Sequence, residues 1–291
     1  MMKIISSLKN KEMIEQIIPF VDGITLGCQF SVYSDNSYSV QEIKDIYQIL
    51  SKNNKKTFIL LNFIMHENDI DNVRNFINEF ENEEVYFIFQ DLGILRILSS
   101  LNKSKYGIYN PLTMITNYRD LKEYEIFSLD AVSLSNEIPL KDVELCSNYC
   151  KDIFYLGFGY HPMYQTYRYL LSLYKEHSGL DFTNDNLMLQ EATRENDRCP
   201  IIENKYGTIV FRNGVISNLE KIELLENVKY LYLDSIFVDE NKYLTVLETY
   251  FNVVNNLISK EEGVKVISSL NLTINNQFMD VDSVYNPKEF E

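Results

Sequence analysis

The sequence predicts a single TIM-type (β/α)8 barrel, and three observations support this prediction. Short apolar runs rich in Ile, Val, Phe, Tyr and Leu alternate with longer amphipathic stretches along most of the 291 residues. The runs are continuously apolar, which is typical of parallel strands that are covered by helices on both faces. Eight strand–helix units in a chain of this length indicate a closed barrel rather than an open sheet.

The strands and helices follow from the apolar runs and from the amphipathic stretches between them. The predicted strands are residues 3–8, 23–27, 57–63, 85–90, 105–109, 131–135, 153–158 and 230–236. The predicted helices are residues 12–21, 40–51, 69–81, 93–99, 114–123, 140–148 and 242–259, the last of which closes the barrel.

One long insertion, at about residues 160–226, separates the seventh strand from the eighth. It contains a predicted helix at 164–176, a polar loop at 177–186 and a hairpin at 200–216. We place the hairpin turn at Arg212-Asn213-Gly214, because Asn-Gly is a strong hairpin signal. An insertion after the carboxyl end of a strand lies on the catalytic face of a barrel. Residues from about 264 to 291 are predicted to form a tail with a short β segment, within one domain that spans residues 1–291.

Charge and hydropathy limit the classes of partner. The formal net charge is -15 and the pI is about 4.7, which disfavours binding to nucleic-acid phosphates. No apolar run approaches the roughly 20 residues of a membrane span, so we expect no membrane partner and a cytoplasmic location. We expect the four cysteines to be free thiols there. The expected partner is a small-molecule or peptide substrate, and the sequence leaves the oligomeric state open.

Short motifs follow the predicted strands. They are VDGITLG at residues 21–27, LN at 61–62, QDLG at 90–93, T-x-x-x-N at 113–117 and SNE at 135–137. Their order and spacing resemble the peptidase U32 (collagenase-like) family, whose corresponding motifs are GADAVYLG, LN, QDLG, T-x-x-x-N and SREL. Asn136 stands where the family usually has Arg. The resemblance covers roughly residues 1–240 and implies a barrel.

The segment FGYHPMYQTYRYLLS at residues 158–172 resembles the family block that runs from His-Gly through Gly-Arg-Cys to Ser. The residues in register are Gly159, Arg168, Leu170 and Ser172. Pro162 and Tyr169 replace the two cysteines of the block, and Cys199 matches a third without a partner after it. The resemblance implies that many members hold an iron–sulfur cluster on four cysteines. This chain keeps at most one of them, so we expect no cluster, no metal and no other cofactor.

Polar side chains at the predicted strand ends are the candidate site residues, because such positions converge on one pocket in a barrel. We assign acid–base roles to Glu137, His161 and Asp91. We assign substrate binding to Arg168, Asn62 and Asn117, with Arg168 pairing a ligand carboxylate. Glu137, His161 and Arg168 are expected to share one cavity.

Each candidate also has a purely structural interpretation. Asp91 is placed to cap the next helix, and the two asparagines are of a type that bonds loop backbone groups. His161 is open to a plain hydrogen-bonding role, Glu137 to pairing with a basic side chain, and Arg168 to stacking on aromatic rings. Cys28 follows a strand end but has no nearby base in the sequence, as a cysteine nucleophile needs.

Three functions stay open at this point. The first is a hydrolase of the U32 peptidase class, which the family linked to collagen degradation implies. The second is a cluster-free relative of the members that hydroxylate RNA bases, and both the cysteine loss and the acidic charge count against it. The third is a barrel that binds a ligand or partner without catalysis. The predicted grouping of Glu137, His161 and Arg168 at one mouth counts mildly against this third function.

Overall fold

The computed structural model describes residues 2–183 and 187–281. Eight parallel strands form the barrel. In chain order the strands of the described residues are β1 (Lys3–Ser7), β2 (Gly23–Leu26), β3 (Lys56–Leu61), β4 (Val85–Phe89), β5 (Gly107–Tyr109), β6 (Ala131–Ser133), β7 (Ile153–Gly159), β8 (Pro162–Thr166), β9 (Met188–Glu191), β10 (Arg194–Asn204), β11 (Gly207–Phe211), β12 (Ile216–Ser217) and β13 (Tyr230–Leu233). The eight barrel strands are β1 to β7 and β13, and the five further strands lie between β7 and β13.

The barrel closes because β13 pairs in parallel with both β1 and β7. The remaining neighbours follow chain order from β1 to β7, each pair parallel. The helices of the described residues are α1 (Ile14–Ile17), α2 (Val40–Lys52), α3 (Ile70–Asn78), α4 (Leu92–Ser100), α5 (Tyr118–Glu123), α6 (Leu140–Tyr149), α7 (Leu170–Ser178), α8 (Glu240–Val254), α9 (Lys260–Ser269) and α10 (Gln277–Asp280). The predicted (β/α)8 barrel is confirmed.

Alternate residues of each barrel strand face the interior, because side chains alternate across a strand. At the amino-terminal end the interior is aromatic: Phe58 packs against Tyr86 and Tyr230 with ring centroids 5.2 and 5.6 Å apart. The Lys56 ammonium lies 3.9 Å from the centre of the Tyr86 ring and donates to the Tyr230 hydroxyl at 2.7 Å. This end of the barrel is therefore plugged, and any opening lies at the other end.

Several predicted boundaries shift. The helix predicted at 12–21 is only α1, flanked by 3-10 turns, and the one at 114–123 is reduced to α5. The predicted closing helix at 242–259 is shorter in the structure: it is α8, which ends at Val254. The separate helix α9 follows, and Ser259 caps its start in a capping box. The predicted tail is therefore helical at its start. Its short β segment is a single bridge between Val215 and Ile274, and residues 282–291 lie outside the described part.

The insertion differs most from its prediction. The helix predicted at 164–176 is wrong over its first turns, where β8 forms instead and pairs with β11. The hairpin turn lies at Lys205-Tyr206, between β10 and β11, and not at Asn213-Gly214. Asn204 accepts the Tyr206 N–H at 2.9 Å and Gly207 has φ +102°, so this turn has its own Asn and Gly. The result is a four-stranded antiparallel sheet, β8-β11-β10-β9.

Gly159 ends β7 with φ +136°, a backbone conformation that residues with a side chain rarely adopt. A Cβ there would lie 2.7 Å from the Asp234 Cβ. We predict that Gly159→Ala lowers the free energy of unfolding by about 3 kcal/mol, because strain and overlap add. Gly179→Ala is the matched control, since Gly179 also has positive φ (+68°) but a Cβ added there would meet nothing within 4 Å. It should cost only about 1 kcal/mol. Equal losses in urea unfolding would contradict the contact with Asp234.

Candidate active site

A cavity lies at the carboxyl ends of the barrel strands. Its volume is about 40 Å³, enough for a few waters. The residues that line it come from the barrel strands, from the loops that follow those strands and from the first residues of the insertion. They are Tyr33, Leu60, Asn62, Ile88, Phe89, Gln90, Asn110, Leu112, Ser133, Asn136, Phe154, Leu156, Tyr160, His161, Pro162, Tyr232 and Asp234.

Strand alternation explains why polar groups reach this cavity. Positions 58, 60 and 62 along β3 share one face, as do positions 230, 232 and 234 along β13, so each interior row ends in a polar residue. Asn62 and Asp234 are these end residues. Asn62 is used structurally: its Oδ1 accepts from Val32 N at 2.8 Å and its Nδ2 donates to Tyr33 O at 3.1 Å. Asn62 therefore fixes the loop after β2 against the cavity.

Asp234 is the most perturbed carboxyl group at the mouth. It is buried beside Gly159, and its Oδ1 accepts the Ile236 N–H at 3.2 Å. Burial and the nearby Asp35 carboxylate raise the pKa of Asp234 to about 7. Asp35 in turn pairs with Lys9 at 3.1 Å and accepts from the Ser235 hydroxyl. Asp234 therefore both accepts and donates a proton near neutral pH, as a general acid–base group must.

His161 lies on the insertion side of the same cavity and is almost fully buried. Neither ring nitrogen has a hydrogen-bond partner among the described residues, and Nε2 is 3.9 Å from Glu137 Oε1. Burial and the positive charge of Arg212 lower the pKa of His161 to about 4. The imidazole is therefore neutral at pH 7, with one N–H to donate and one nitrogen to accept.

Arg212 completes the charged surroundings of His161. Its backbone N–H donates to the His161 carbonyl at 3.0 Å, because β11 pairs with β8. Its guanidinium lies 4.0 Å from the centre of the Phe278 ring, in a cation–π contact. Burial lowers the pKa of the Arg212 guanidinium, and the negative charge of Glu137 offsets part of this lowering. Arg212 thus occupies the position near Glu137 and His161 where Arg168 was expected.

The structure brings some of the predicted site residues together and separates others. Asn62 and His161 line the cavity, and Glu137 touches His161 from outside it. Asp91 caps α4 by accepting from Gly93 N at 2.6 Å, and Asn117 caps α5. Arg168 is exposed and does not line the cavity. The catalytic role of Asp91 and the binding roles of Asn117 and Arg168 stay predictions without support from this geometry.

Sequence reasoning missed Asp234, Asn136 and Arg212. Asp234 follows the eighth strand directly, so the rule that selected the other strand-end residues also selects it. In the sequence Asn136 is only a departure from the family motif, and its Oδ1, like Gln90 Oε1, is buried without a partner among the described residues. No sequence signal identifies Arg212, because its proximity to His161 depends on the pairing of β8 with β11.

The cysteines do not assemble a site. Cys28 is buried and donates to Leu60 O at 3.4 Å, and burial raises the pKa of its thiol to about 11, so it is a poor nucleophile. Cys146 lies in α6 and Cys199 in β10. Within residues 2–183 and 187–281, no three His, Cys, Asp or Glu side chains are grouped to hold a metal ion. The residues present do not fit a cluster held by four cysteines.

A model of peptidase family U32 matches residues 27–286 of the chain. The match covers most of the sequence, and the chain belongs to this family. A search of the curated proteins finds no match. Among the helices of the described residues, none combines the length and apolar character that a bilayer crossing requires.

One solved structure agrees with the barrel fold. The U32 peptidase Mk0906 superposes with a TM-score of 0.52 at 11% identity, covering 80% of this chain and 92% of that one. The orotidine 5'-monophosphate decarboxylase from Methanocaldococcus jannaschii has a TM-score of 0.48 at 11% identity, covering 88% and 99% of the two chains. At these identities the likeness to the U32 peptidase concerns the fold alone.

The raised pKa of Asp234 predicts a pH-dependent stability difference between the wild type and Asp234→Asn. The unfolded carboxyl loses its proton near pH 4 and the folded one near pH 7, so wild-type stability falls as pH rises through this window. The variant lacks this loss. The free energy of unfolding of the variant minus that of the wild type should therefore increase by on the order of 2–4 kcal/mol between pH 4 and pH 8.

Urea unfolding at pH 4, 6 and 8 measures this difference. Comparing variant with wild type is essential, because the lowered pKa of His161 destabilises both proteins as pH falls toward 4. Asp239→Asn is the matched control: Asp239 is an exposed N-cap of α8, and Asn caps equally well. An Asp234→Asn difference that is constant with pH, like that of the control, would contradict the pKa assignment.

Proposed function

We propose that this chain is a hydrolase that cleaves peptide bonds, with Asp234 as its acid–base group. The observation that carries the proposal is the buried Asp234 carboxyl, with a pKa of about 7, in a cavity where other polar groups lack partners among the described residues. Structural carboxylates are normally paired and keep a low pKa, whereas raised values cluster at functional sites. Membership of the U32 peptidase family supports peptide bonds as the substrate class.

The proposed reaction uses water as the nucleophile. Ionised Asp234 takes a proton as the water oxygen bonds to the peptide carbonyl carbon. Neutral His161 donates its N–H to the carbonyl oxygen, where negative charge develops, with Gln90 and Asn136 as further hydrogen-bond groups around it. The C–N bond then breaks, and protonated Asp234 returns its proton to the leaving amine. Asp35 favours the protonated form of Asp234 by its charge.

The proposal is tested by incubating the purified protein with gelatin and with collagen-derived peptides, and measuring new amino termini by mass spectrometry. Asp234→Asn should lower the cleavage rate by at least about 100-fold, as expected for loss of a general acid–base group. Asp239→Asn should retain the wild-type rate, since it changes an exposed carboxylate on the same segment. A wild-type rate in Asp234→Asn would sink the proposal.

Glu137→Gln tests whether the carboxylate beside His161 contributes to the reaction. It removes the negative charge 3.9 Å from His161 Nε2 and keeps the shape of the side chain, so we expect a loss of roughly 10-fold in kcat with an unchanged melting temperature. If the pair is only structural, the melting temperature falls and activity falls only in proportion to the folded fraction.

One observation favours a second candidate, a barrel that binds a small molecule without catalysis. The cavity admits only a few waters as it stands, which matches a small polar ligand better than a polypeptide. Failure to cleave any peptide, together with tight binding of a small ligand that shifts the Asp234 titration, would favour this candidate. For either function the proposed location is the cytoplasm, where the four cysteines stay reduced.

A further inference from the structure

The wall of the cavity that holds Asp234 contains no permanent positive charge. Of the described residues that line it, Asp234 alone has a carboxyl group, and none is Lys or Arg. Two cations lie close by outside the wall, and both are near a carboxylate: Lys9 pairs with Asp35 at 3.1 Å, and Arg212 is near Glu137. A negatively charged ligand would therefore find no counter-charge in the cavity.

The other titratable groups of the wall are neutral at pH 7. Burial lowers the pKa of His161 to about 4, so its imidazole is uncharged. Burial raises the pKa of Tyr33, Tyr160 and Tyr232, and their phenols keep their protons. The wall is therefore either uncharged or singly negative, according to the protonation of Asp234. Such a wall favours a positively charged ligand.

Aromatic rings form much of the same wall. They are Tyr33, Phe89, Phe154, Tyr160 and Tyr232. Ring contacts hold several of them in place: the Phe154 centroid lies 5.3 Å from that of Tyr232, and the Tyr160 centroid lies 5.6 Å from that of Phe237. The face of an aromatic ring attracts cations, and more strongly so where water is excluded. The rings therefore add to the preference of Asp234 for a positive ligand.

Hydrogen-bonding capacity and size narrow the class of cation. Asn136 Oδ1 and Gln90 Oε1 are buried acceptors without a partner among the described residues, and neutral His161 offers one acceptor nitrogen. A primary ammonium group has three N–H donors for such acceptors, whereas a quaternary ammonium has none. The volume of about 40 Å³ admits a small group of this kind but not a polypeptide.

We propose that the cavity binds a primary ammonium group, with the Asp234 carboxylate as its counter-ion. The identity of this ammonium as the amino terminus of a peptide rests on the proposed function. The cleaved bond is then the first peptide bond of the chain, because an α-ammonium is separated from its own carbonyl carbon by the Cα atom alone. The substrate class is therefore peptides with a free amino terminus, which are shortened from that end.

Ammonium binding and the ionisation of Asp234 are linked. At pH 7 about half of the molecules hold a proton on Asp234. This proton leaves to solvent when an ammonium binds, because the positive charge favours the carboxylate. The ligand thus converts Asp234 to the form that accepts a proton from water. The other ionisable side chains near Asp234 are Tyr33, Asp35, Tyr232, Tyr243 and, in the same cavity, His161.

The ¹³C titration of Asp234 Cγ measures this binding without any peptide cleavage. Saturating methylammonium chloride should move the Asp234 midpoint down from about pH 7 by at least about one pH unit, which corresponds to tenfold tighter binding by the ionised form. Tetramethylammonium chloride at the same ionic strength is the matched control and should leave the midpoint in place. An unchanged midpoint with methylammonium, or equal shifts with both salts, would overturn the proposal.

Variants locate the bound ammonium. Dissociation constants for methylammonium at pH 8, where Asp234 is ionised, come from chemical-shift changes on titration of the folded protein. Asp234→Asn should weaken binding at least about tenfold, whereas Asp239→Asn, at an exposed carboxylate on the same segment, should bind like the wild type. Tyr160→Leu should bind roughly two- to fivefold more weakly than Tyr160→Phe, which keeps the ring. Wild-type binding by Asp234→Asn would contradict the ammonium site.

A matched pair of peptides separates this inference from the proposed function. A peptide with a free amino terminus should be cleaved at least about tenfold faster than the same peptide with an acetylated terminus, which lacks the charge. A methylammonium shift without cleavage of either peptide would keep the ammonium site and remove the proposed function. Cleavage of both peptides at equal rates that requires Asp234, with no methylammonium shift, would keep the function and remove the ammonium site.

Discussion

The close approach of Gly159 to Asp234 is the constraint on which the mouth of this barrel depends. The Asp234 N–H donates to the Phe158 carbonyl at 2.8 Å, and no side chain fits between the two strands at Gly159. The contact buries the Asp234 carboxyl where β7 leaves the barrel. It also directs the chain from β7 into β8, so the insertion begins beside the Asp234 carboxyl group. The burial of Asp234 and the start of the insertion are thus consequences of one backbone geometry.

The electrostatics of the mouth follow from this burial. Asp234 is buried and lies near the acidic group Asp35, and both effects raise the pKa of Asp234. His161 is affected in the opposite sense, because burial and Arg212 disfavour its charged form. The two groups are therefore a carboxyl that is half protonated and an imidazole that is neutral at pH 7. Both groups line the same cavity.

The barrel was predictable from the sequence because its strands are short, continuously apolar and evenly spaced by helices. Local rules also identify Asn62 and His161 as strand-end residues, and they place Asp234 one step beyond the interior residues Tyr230 and Tyr232. Asp234 was overlooked although the same rule selects it. The alternation of side chains has to be followed to the end of each strand, beyond its last apolar residue. It then separates the side chains that face the cavity from those, such as Asp91, that cap the next helix.

The insertion was harder to predict because its contacts are distant in sequence. The segment 164–176 has helix-like spacing of apolar residues, but its first part is held in β8 by pairing with β11, more than forty residues away. Arg212 comes near His161, and Tyr206 meets Gln29, only through this sheet and its docking on the rim. Asn213-Gly214 carries a hairpin signal, yet the hairpin turn is Lys205-Tyr206, where Asn204 at the end of β10 pairs with Gly207 at the start of β11. Local propensity was overridden by tertiary pairing.

The central claim is that Asp234 is a buried acid–base group, and its carboxyl titration tests this most directly. The ¹³C chemical shift of Asp234 Cγ, assigned by its absence in Asp234→Asn, can be followed from pH 3 to pH 9. We expect a midpoint near pH 7. A single transition near pH 4, the ordinary range for an aspartate, would contradict it.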